Sequence, residues 1–278
     1  MNTLLGGEPG NPGFGALLRH WRTNRRMTQL DLANEAGISA RHLSFLETGR
    51  SQPSREMVQL LAGMLNVPLA DRNTLLVRAG YAPVYGARPL DSSEFDHVRR
   101  ALDFTLRQQE PFPALVIDGF HNIVMRNDAS RRVFEVFRGP LPPQQTLNAL
   151  RTIFDPAGLR PYVENWDEIA ECMMQGVQRH IAETGNEALV KLREELLAYP
   201  GVPSHFRAVA ALPLDPPIIN LKLRKGDLGL SFFSTVSFLG RTRDLTLQDL
   251  KVECFFPADA ATESFCRRLA SMPESIAV

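Results

Sequence analysis

The chain has 278 residues, of which 44% are hydrophobic and 22% charged, with a formal net charge of zero. That composition excludes a disordered or collagen-like chain, and the length predicts two domains at roughly 150 residues each. The sequence contains no apolar run of about 18 residues and no basic-then-apolar opening, so it predicts neither a membrane-spanning helix nor a secretory signal. The three cysteines, Cys172, Cys254 and Cys266, are far apart and form no Cys-x-x-Cys pair. They argue against a disulfide framework or a structural zinc site and fit a reducing cytoplasm. Neutrality hides an asymmetry. Residues 1–90 carry ten arginines, no lysine and six acidic residues, a balance of +4, and the remainder carries −4. The basic part points to a polyanionic partner for the first domain.

Residues 1–13, rich in Gly and Pro, predict a flexible tail, and residues 14–80 predict five short helices. The first runs from Phe14 to Arg26, with Phe14, Leu17, Leu18 and Trp21 on one stripe. Thr28 followed by Asp31 is a capping-box pattern that starts the second, and Gly37 ends it. Ser39 is a good N-cap for the third, from Ala40 to Thr48, whose Leu43 and Leu46 face inward. A fourth follows Pro53-Ser54 with Met57, Leu60, Leu61 and Met64 as its stripe. A fifth spans Ala70 to Ala79, with Leu75, Leu76 and Ala79 inward. Residues 81–93, with Pro83, Gly86, Pro89, Ser92 and Ser93, predict a linker.

Two short helices around Gly37-Ile38-Ser39 make a helix–turn–helix. The run from Met27 to Ala33, then Ala36-Gly37-Ile38-Ser39, then Leu43 to Arg50 and Pro53-Ser54, resembles the lambda-repressor/Cro-type (XRE) DNA-binding domain over residues 14–80. The resemblance implies that the third helix lies in the major groove, with its N-terminal residues toward base edges. It makes Ala40, Arg41 and Ser44 the base-reading positions and Gln29 the phosphate anchor. Arg41 is read either as a bidentate reader of guanine or as a phosphate contact. Ser39, His42 and Arg50 complete the expected DNA-binding set. The resemblance also implies a structural ion pair between Arg22 and Glu47.

From residue 94 to 278 the pattern mixes helix and strand. An amphipathic helix over 94–110 places Phe95, Val98, Leu102, Thr105 and Leu106 inward. Two apolar strands, Ala114–Asp118 and Asn122–Arg126, flank a turn, and a helix follows from Asp128. This is how a PAS-like domain opens. Residues 158–199 read as mostly helical, and strands return at Ile218–Leu223, Leu228–Leu239 and Leu250–Phe256. A helix over Ala258–Ser271 follows. The stretches Phe112 to Asp118, Asn122 to Asn127, Asn148-Ala149-Leu150-Arg151, Asn165-Trp166 and Leu230 to Thr235 resemble the ligand-binding domain of MmyB-like transcription regulators over about residues 94–271. Many members carry a tryptophan just after the helix that ends near Phe206, and this chain has none there. The resemblance implies a small apolar, fatty-acid-like effector in a PAS-type cavity. Candidate wall residues are Phe112, Phe134, Phe137, Trp166, Met173, Met174, Phe232 and Phe233, each of which also suits an ordinary core.

His97, His121, His180 and His205 are scattered, and the chain lacks the HExxH, GxSxG and P-loop patterns, so no enzyme, metal site or cofactor is expected. The sequence therefore predicts an all-α five-helix helix–turn–helix domain followed by an α+β PAS-like domain. The expected protein is a cytoplasmic, nucleoid-associated homodimer that regulates transcription by binding an operator in double-stranded DNA. Its second domain either senses a small apolar ligand or only dimerises or binds a protein partner.

Overall fold

A computed structural model describes residues 13–140, 147–184, 186–207, 218–240, 242 and 244–272. The expected tail, 1–13, falls almost wholly outside the described residues. The chain divides into two compact units, one of residues 1–88 with 241–248 and one of residues 89–240 with 249–278.

The first unit holds helices α1 (Phe14–Asn24), α2 (Gln29–Glu35), α3 (Ala40–Glu47), α4 (Arg55–Met64) and α5 (Leu69–Arg78). Their boundaries follow from local chemistry. The Thr28 hydroxyl accepts the Asp31 N–H at 3.1 Å, and the Asp31 carboxylate accepts the Thr28 N–H at 2.9 Å. This closes the capping box and fixes the start of α2. Gly37 takes φ +67°, which costs a glycine little, and turns the chain into α3. The Ser39 hydroxyl then accepts the His42 N–H at 3.1 Å.

The core of this unit holds Leu18, Leu32, Leu43, Leu46, Leu61 and Leu76, all fully buried. On α4 the buried residues are Val58, Leu61 and Ala62, whereas Leu60 and Met64 are exposed. The stripe is rotated by about one residue from the expected one, because the following Leu65 and Val67 also reach the core. Gly15 has no room for a side chain: a Cβ there would lie 2.4 Å from the Glu47 carbonyl oxygen. The backbones of α1 and α3 therefore touch at this point.

Polar contacts add to this core. Arg22 Nε donates to Glu47 Oε1 at 2.6 Å, and both side chains are buried. Residues 244–248 pack on α5, where the Leu69 N–H, in the first turn of a helix with no side-chain cap of its own, donates to Gln248 Oε1 at 3.0 Å. The Leu245 N–H donates to the Gly86 carbonyl at 2.9 Å, and the Thr246 hydroxyl to the Arg88 carbonyl at 2.7 Å.

The second unit is an α+β, PAS-like domain. A 3₁₀ turn leads into α6 (Asp96–Gln108). Strands β1 (Ala114–Ile117) and β2 (Ile123–Arg126) follow, and then helices α7 (Asp128–Arg138), α8 (Ala149–Phe154), α9 (Trp166–Thr184) and α10 (Glu187–Ala198). Strands β3 (Leu221–Lys225), β4 (Leu228–Phe238) and β5 (Lys251–Pro257) precede the last helix, α11 (Ala260–Ser271). The five strands form one sheet in the order β2-β1-β5-β4-β3, and all its neighbours are antiparallel. On α6, Phe95 just before the helix, Leu102 and Leu106 are buried, but Thr105 is exposed, so the inward stripe is narrower than the spacing suggests. Helix α8 has no long apolar period to announce it. It starts because the Asn148 side chain accepts the N–H groups of Leu150 and Arg151, both at 3.1 Å.

Two outcomes are expected. Arg22→Ala strands a buried carboxylate and should cost the first unit about 3 kcal/mol or more, read by urea unfolding of the full chain. Burial pushes the Glu47 carboxyl up, but hydrogen bonds from Arg22 and Gln29 and the charges of Arg22 and Arg19 outweigh it, so it titrates below its usual range. A depressed carboxylate stabilises the fold above its unfolded value, and that contribution disappears as pH falls through the folded one. The first unit should therefore lose stability below about pH 4.5 more steeply in wild type than in Glu47→Gln.

Candidate DNA-contacting helix and effector cavity

Helix α3 is held by its inner face, and on its outer side Arg41 is exposed while Ala40, Ser44 and Phe45 are half-buried. Leu43 and Leu46 are fully buried, so the outer face is left to Ala40, Arg41, Ser44 and Phe45. Glu47, at the inner end, accepts from Arg22 at 2.6 and 3.0 Å and from Gln29 Nε2 at 2.8 Å. The Gln29 amide is thus tied to the fold. What it leaves toward a phosphate is the first turn of α2, whose opening N–H groups have no intrahelical partner.

Arg41 and Arg50 are exposed, and both guanidinium groups stand over the half-buried Phe45 ring, at 5.3 and 6.0 Å from its centroid. An aromatic face attracts a cation, so Phe45 steadies two positive side chains on one surface. Ser39 serves as the N-cap of α3, and His42 supplies the N–H that Ser39 accepts, its ring half-buried. The expected DNA-contacting residues Gln29, Ser39, Ala40, Arg41, His42, Ser44 and Arg50 therefore lie on α2, α3 and the loop after α3. Four of them, Ala40, Arg41, His42 and Ser44, belong to α3, and of these four Arg41 is the exposed one.

In the second unit, one face of the sheet and helices α7, α8 and α9 enclose a cavity of about 170 Å³. Of the eight expected wall residues, Phe134, Phe137, Met173 and Phe232 line it. The other four lie elsewhere. Phe233 stacks on Phe256 with ring centroids 5.4 Å apart. It alternates with Phe232 along β4 and so faces the other way. Trp166 donates its indole N–H to the Ile153 carbonyl at 2.8 Å and carries Arg160 over its ring at 4.0 Å. Met174 is buried in the core beside the cavity, and Phe112 lies under the Arg267 guanidinium.

The wall is mainly aliphatic and aromatic. Its polar side chains are Arg126, Ser130, Thr152, Ser234 and Glu253. Burial pushes the Glu253 carboxyl above the usual carboxylate range, against a hydrogen bond from Ser234 and the charge of Lys251. None of these five was anticipated from the sequence. The signal available was strand alternation: residues 251, 253 and 255 share one face of β5, as 232 and 234 share one face of β4.

His121 is not on this wall. It sits in the β1–β2 turn at φ +62°, and burial, with the charges of Lys251 and His180, drops its pKa to about 4 against the pull of Asp118. Among the described residues no group of three or more His, Cys, Asp or Glu side chains is arranged to hold a metal ion, and no helix is long and apolar enough to cross a membrane.

Comparison with known families matches both units. Residues 14–75 match the model of a helix-turn-helix domain, and residues 98–269 match that of the MmyB-like transcription regulator ligand binding domain. No curated protein matches the chain. Both families are regulatory DNA-binding and ligand-binding domains. The second match covers more than half of the chain, so the protein belongs to the MmyB-like family of transcription regulators, with a helix–turn–helix domain ahead of its ligand-binding domain.

Proposed function

We propose that the protein is a cytoplasmic homodimer that binds a specific operator in double-stranded DNA, and that a small apolar, fatty-acid-like effector in the second unit sets its affinity for that operator. The observation that carries this reading is a conjunction. A helix that carries the exposed Arg41 lies in one unit, and a mainly apolar cavity lies between sheet and helices in the other. Pockets of this kind suit apolar molecules fixed by a few placed polar groups. The strands that supply Phe232, Ser234, Glu253 and Phe255 to the wall are β4 and β5, and the segment joining them, 241–248, belongs to the helical unit. That continuity supports a response of the helical unit to what the cavity holds.

One helix–turn–helix contacts only a short half-site, so useful affinity calls for two copies on a two-fold operator. Selection of bound sequences from random DNA by the purified full chain should return a palindrome with half-sites about one helical turn apart. A short asymmetric consensus would exclude the dimer.

On the selected operator, Arg41→Ala should cost about 1–3 kcal/mol and relax the preference at one base position. Gln29→Ala should weaken specific and random DNA alike, because it loosens the end of α2 that faces the backbone. Equal losses on both DNAs for Arg41→Ala would make Arg41 a phosphate contact.

Medium-chain fatty acids should raise the melting temperature of the full chain by mass action. Met173→Trp, which fills the cavity, should abolish that shift. A wild-type protein indifferent to every lipid tried would reduce the second unit to a scaffold for dimerisation.

A further inference from the structure

Strand β4 outruns its partner on one side. It has 11 residues and β3 has five. β3 pairs with Leu228 to Phe232 and stops there, whereas β5 pairs with Phe232 to Phe238. From Ser234 to Phe238 every residue is exposed. Among the described residues no strand lies along the outer side of this half of β4, and no other backbone group bonds to it there.

The ladder says which backbone groups are left over. The Ala258 N–H donates to the Ser231 carbonyl at 2.8 Å, which continues the β4–β5 pairing by one residue. Residues 231, 233, 235 and 237 therefore aim their N–H and C=O groups at β5, because these directions alternate along an antiparallel strand. The residues between them aim the other way. Phe232 meets Leu221 on β3, and Ser234, Val236 and Phe238 face the open edge. Such edges are commonly blunted by Lys, Pro or a bulge. The run Ser234-Thr235-Val236-Ser237-Phe238 has no charge and no proline, and its register against β5 is unbroken. Val236 and Phe238, 47% and 64% exposed, add apolar surface to one face.

This edge is complementary to itself. Laid antiparallel on a second copy about a two-fold axis at Val236, it sets Val236 opposite Val236 of the second copy, Ser234 opposite Phe238, and Thr235 opposite Ser237. Each edge-facing N–H then meets an edge-facing C=O, with three bonds donated by each copy. Thr235 and Ser237 lie on the face away from the cavity, where opposed hydroxyl side chains are a favourable pair. A one-residue shift sets the free groups against residues whose own groups point away. A two-residue shift leaves one residue of each edge unpaired.

We propose that the β4 edge from Ser234 to Phe238 is a dimer interface of the second unit, and that its occupant is the same edge of a second copy, which joins two five-stranded sheets into one of ten. This rests on the reading that the protein is a homodimer. The pairing is isologous, so it closes at two copies, the symmetry that a palindromic operator needs. Its hydrogen bonds fall in the range of about 5 to 15 found at ordinary interfaces.

The test is sedimentation of the full chain over a concentration series, with hydrogen exchange read at the β4 amides. Wild type should sediment as a dimer. Thr235→Lys with Ser237→Lys sets like charges opposite each other across the axis and should weaken dimerisation at least about tenfold. Thr235→Lys with Ser237→Glu alters the same exposed positions but sets opposite charges together, and should stay dimeric. Val236→Pro removes the central edge N–H without touching the β5 ladder and should behave as the double-lysine variant does. A double-lysine variant as dimeric as wild type overturns the assignment and leaves the homodimer reading intact. Equal weakening by both double variants overturns it as well. So does a monomeric double-lysine variant whose Val236 amide stays as protected as in wild type, because this chain itself then covers the edge. A wild type that is monomeric throughout overturns the homodimer reading and the interface together.

Discussion

Strand β5 is the constraint on which the second unit depends. It pairs on one side with β1 through four residues and on the other with β4 through seven, so no strand on either side of it joins the sheet except through its backbone. Side chains on a strand alternate, and this alternation sorts β5 into two jobs. Glu253 and Phe255 face the cavity, whereas Val252 is buried and Phe256 stacks on Phe233. The segment just before β5, ending in Gln248, belongs to the helical unit, where it caps α5. One strand thus fixes the register of the sheet, supplies part of the cavity wall and continues from a segment that packs on α5 of the helical unit.

The two units handle buried charge in opposite ways. In the first, Arg22 and Glu47 are paired at 2.6 Å and Gln29 takes a remaining lone pair of the carboxylate. Such a closed network is costly to break and holds α1, α2 and α3 together, which a docking surface needs to meet a duplex in one register. The contact of Gly15 with the α3 backbone brings the two helices close enough for that pair to form. In the second unit Arg126 lines the mainly apolar cavity, half-buried, and among the described residues makes no hydrogen bond or ion pair, the charge of Glu135 acting on it. A satisfied network fits a structural role.

Much of the first unit was legible because its signals are local. Thr28 and Asp31, Gly37 and Ser39 act within a few residues, and the structure places each as its chemistry demands. The pairing of Arg22 with Glu47, 25 positions apart, came from the family pattern rather than from spacing. The phase of α4 was ambiguous because Met57-Val58 and Leu60-Leu61-Ala62 offer two overlapping apolar stripes. In the second unit the strands and the longer helices were legible from alternation and period, but α8 was not, since six residues capped by Asn148 carry too little periodicity.

Half of the expected wall residues line the cavity. Large apolar side chains mark a core without saying which of them border a void, so Met173 and Met174, adjacent on α9, read alike although only Met173 lines the cavity. Arg126 reads in sequence as the solvated end of a strand. Only the arrangement of α7 and α8 over the sheet turns it into a wall residue, and that arrangement is set by tertiary packing.

The central claim is that the occupant of the cavity sets affinity for DNA. A ligand shifts such an equilibrium only as far as it prefers one state of the protein over the other. The direct measurement is the dissociation constant of the full chain for its selected operator, at fixed salt, across a titration of a carboxylate amphiphile that raises its melting temperature. The account predicts a change in operator affinity that saturates at the same concentration as the thermal shift and is absent in Met173→Trp. Saturating binding of the amphiphile with an unchanged operator dissociation constant would contradict it.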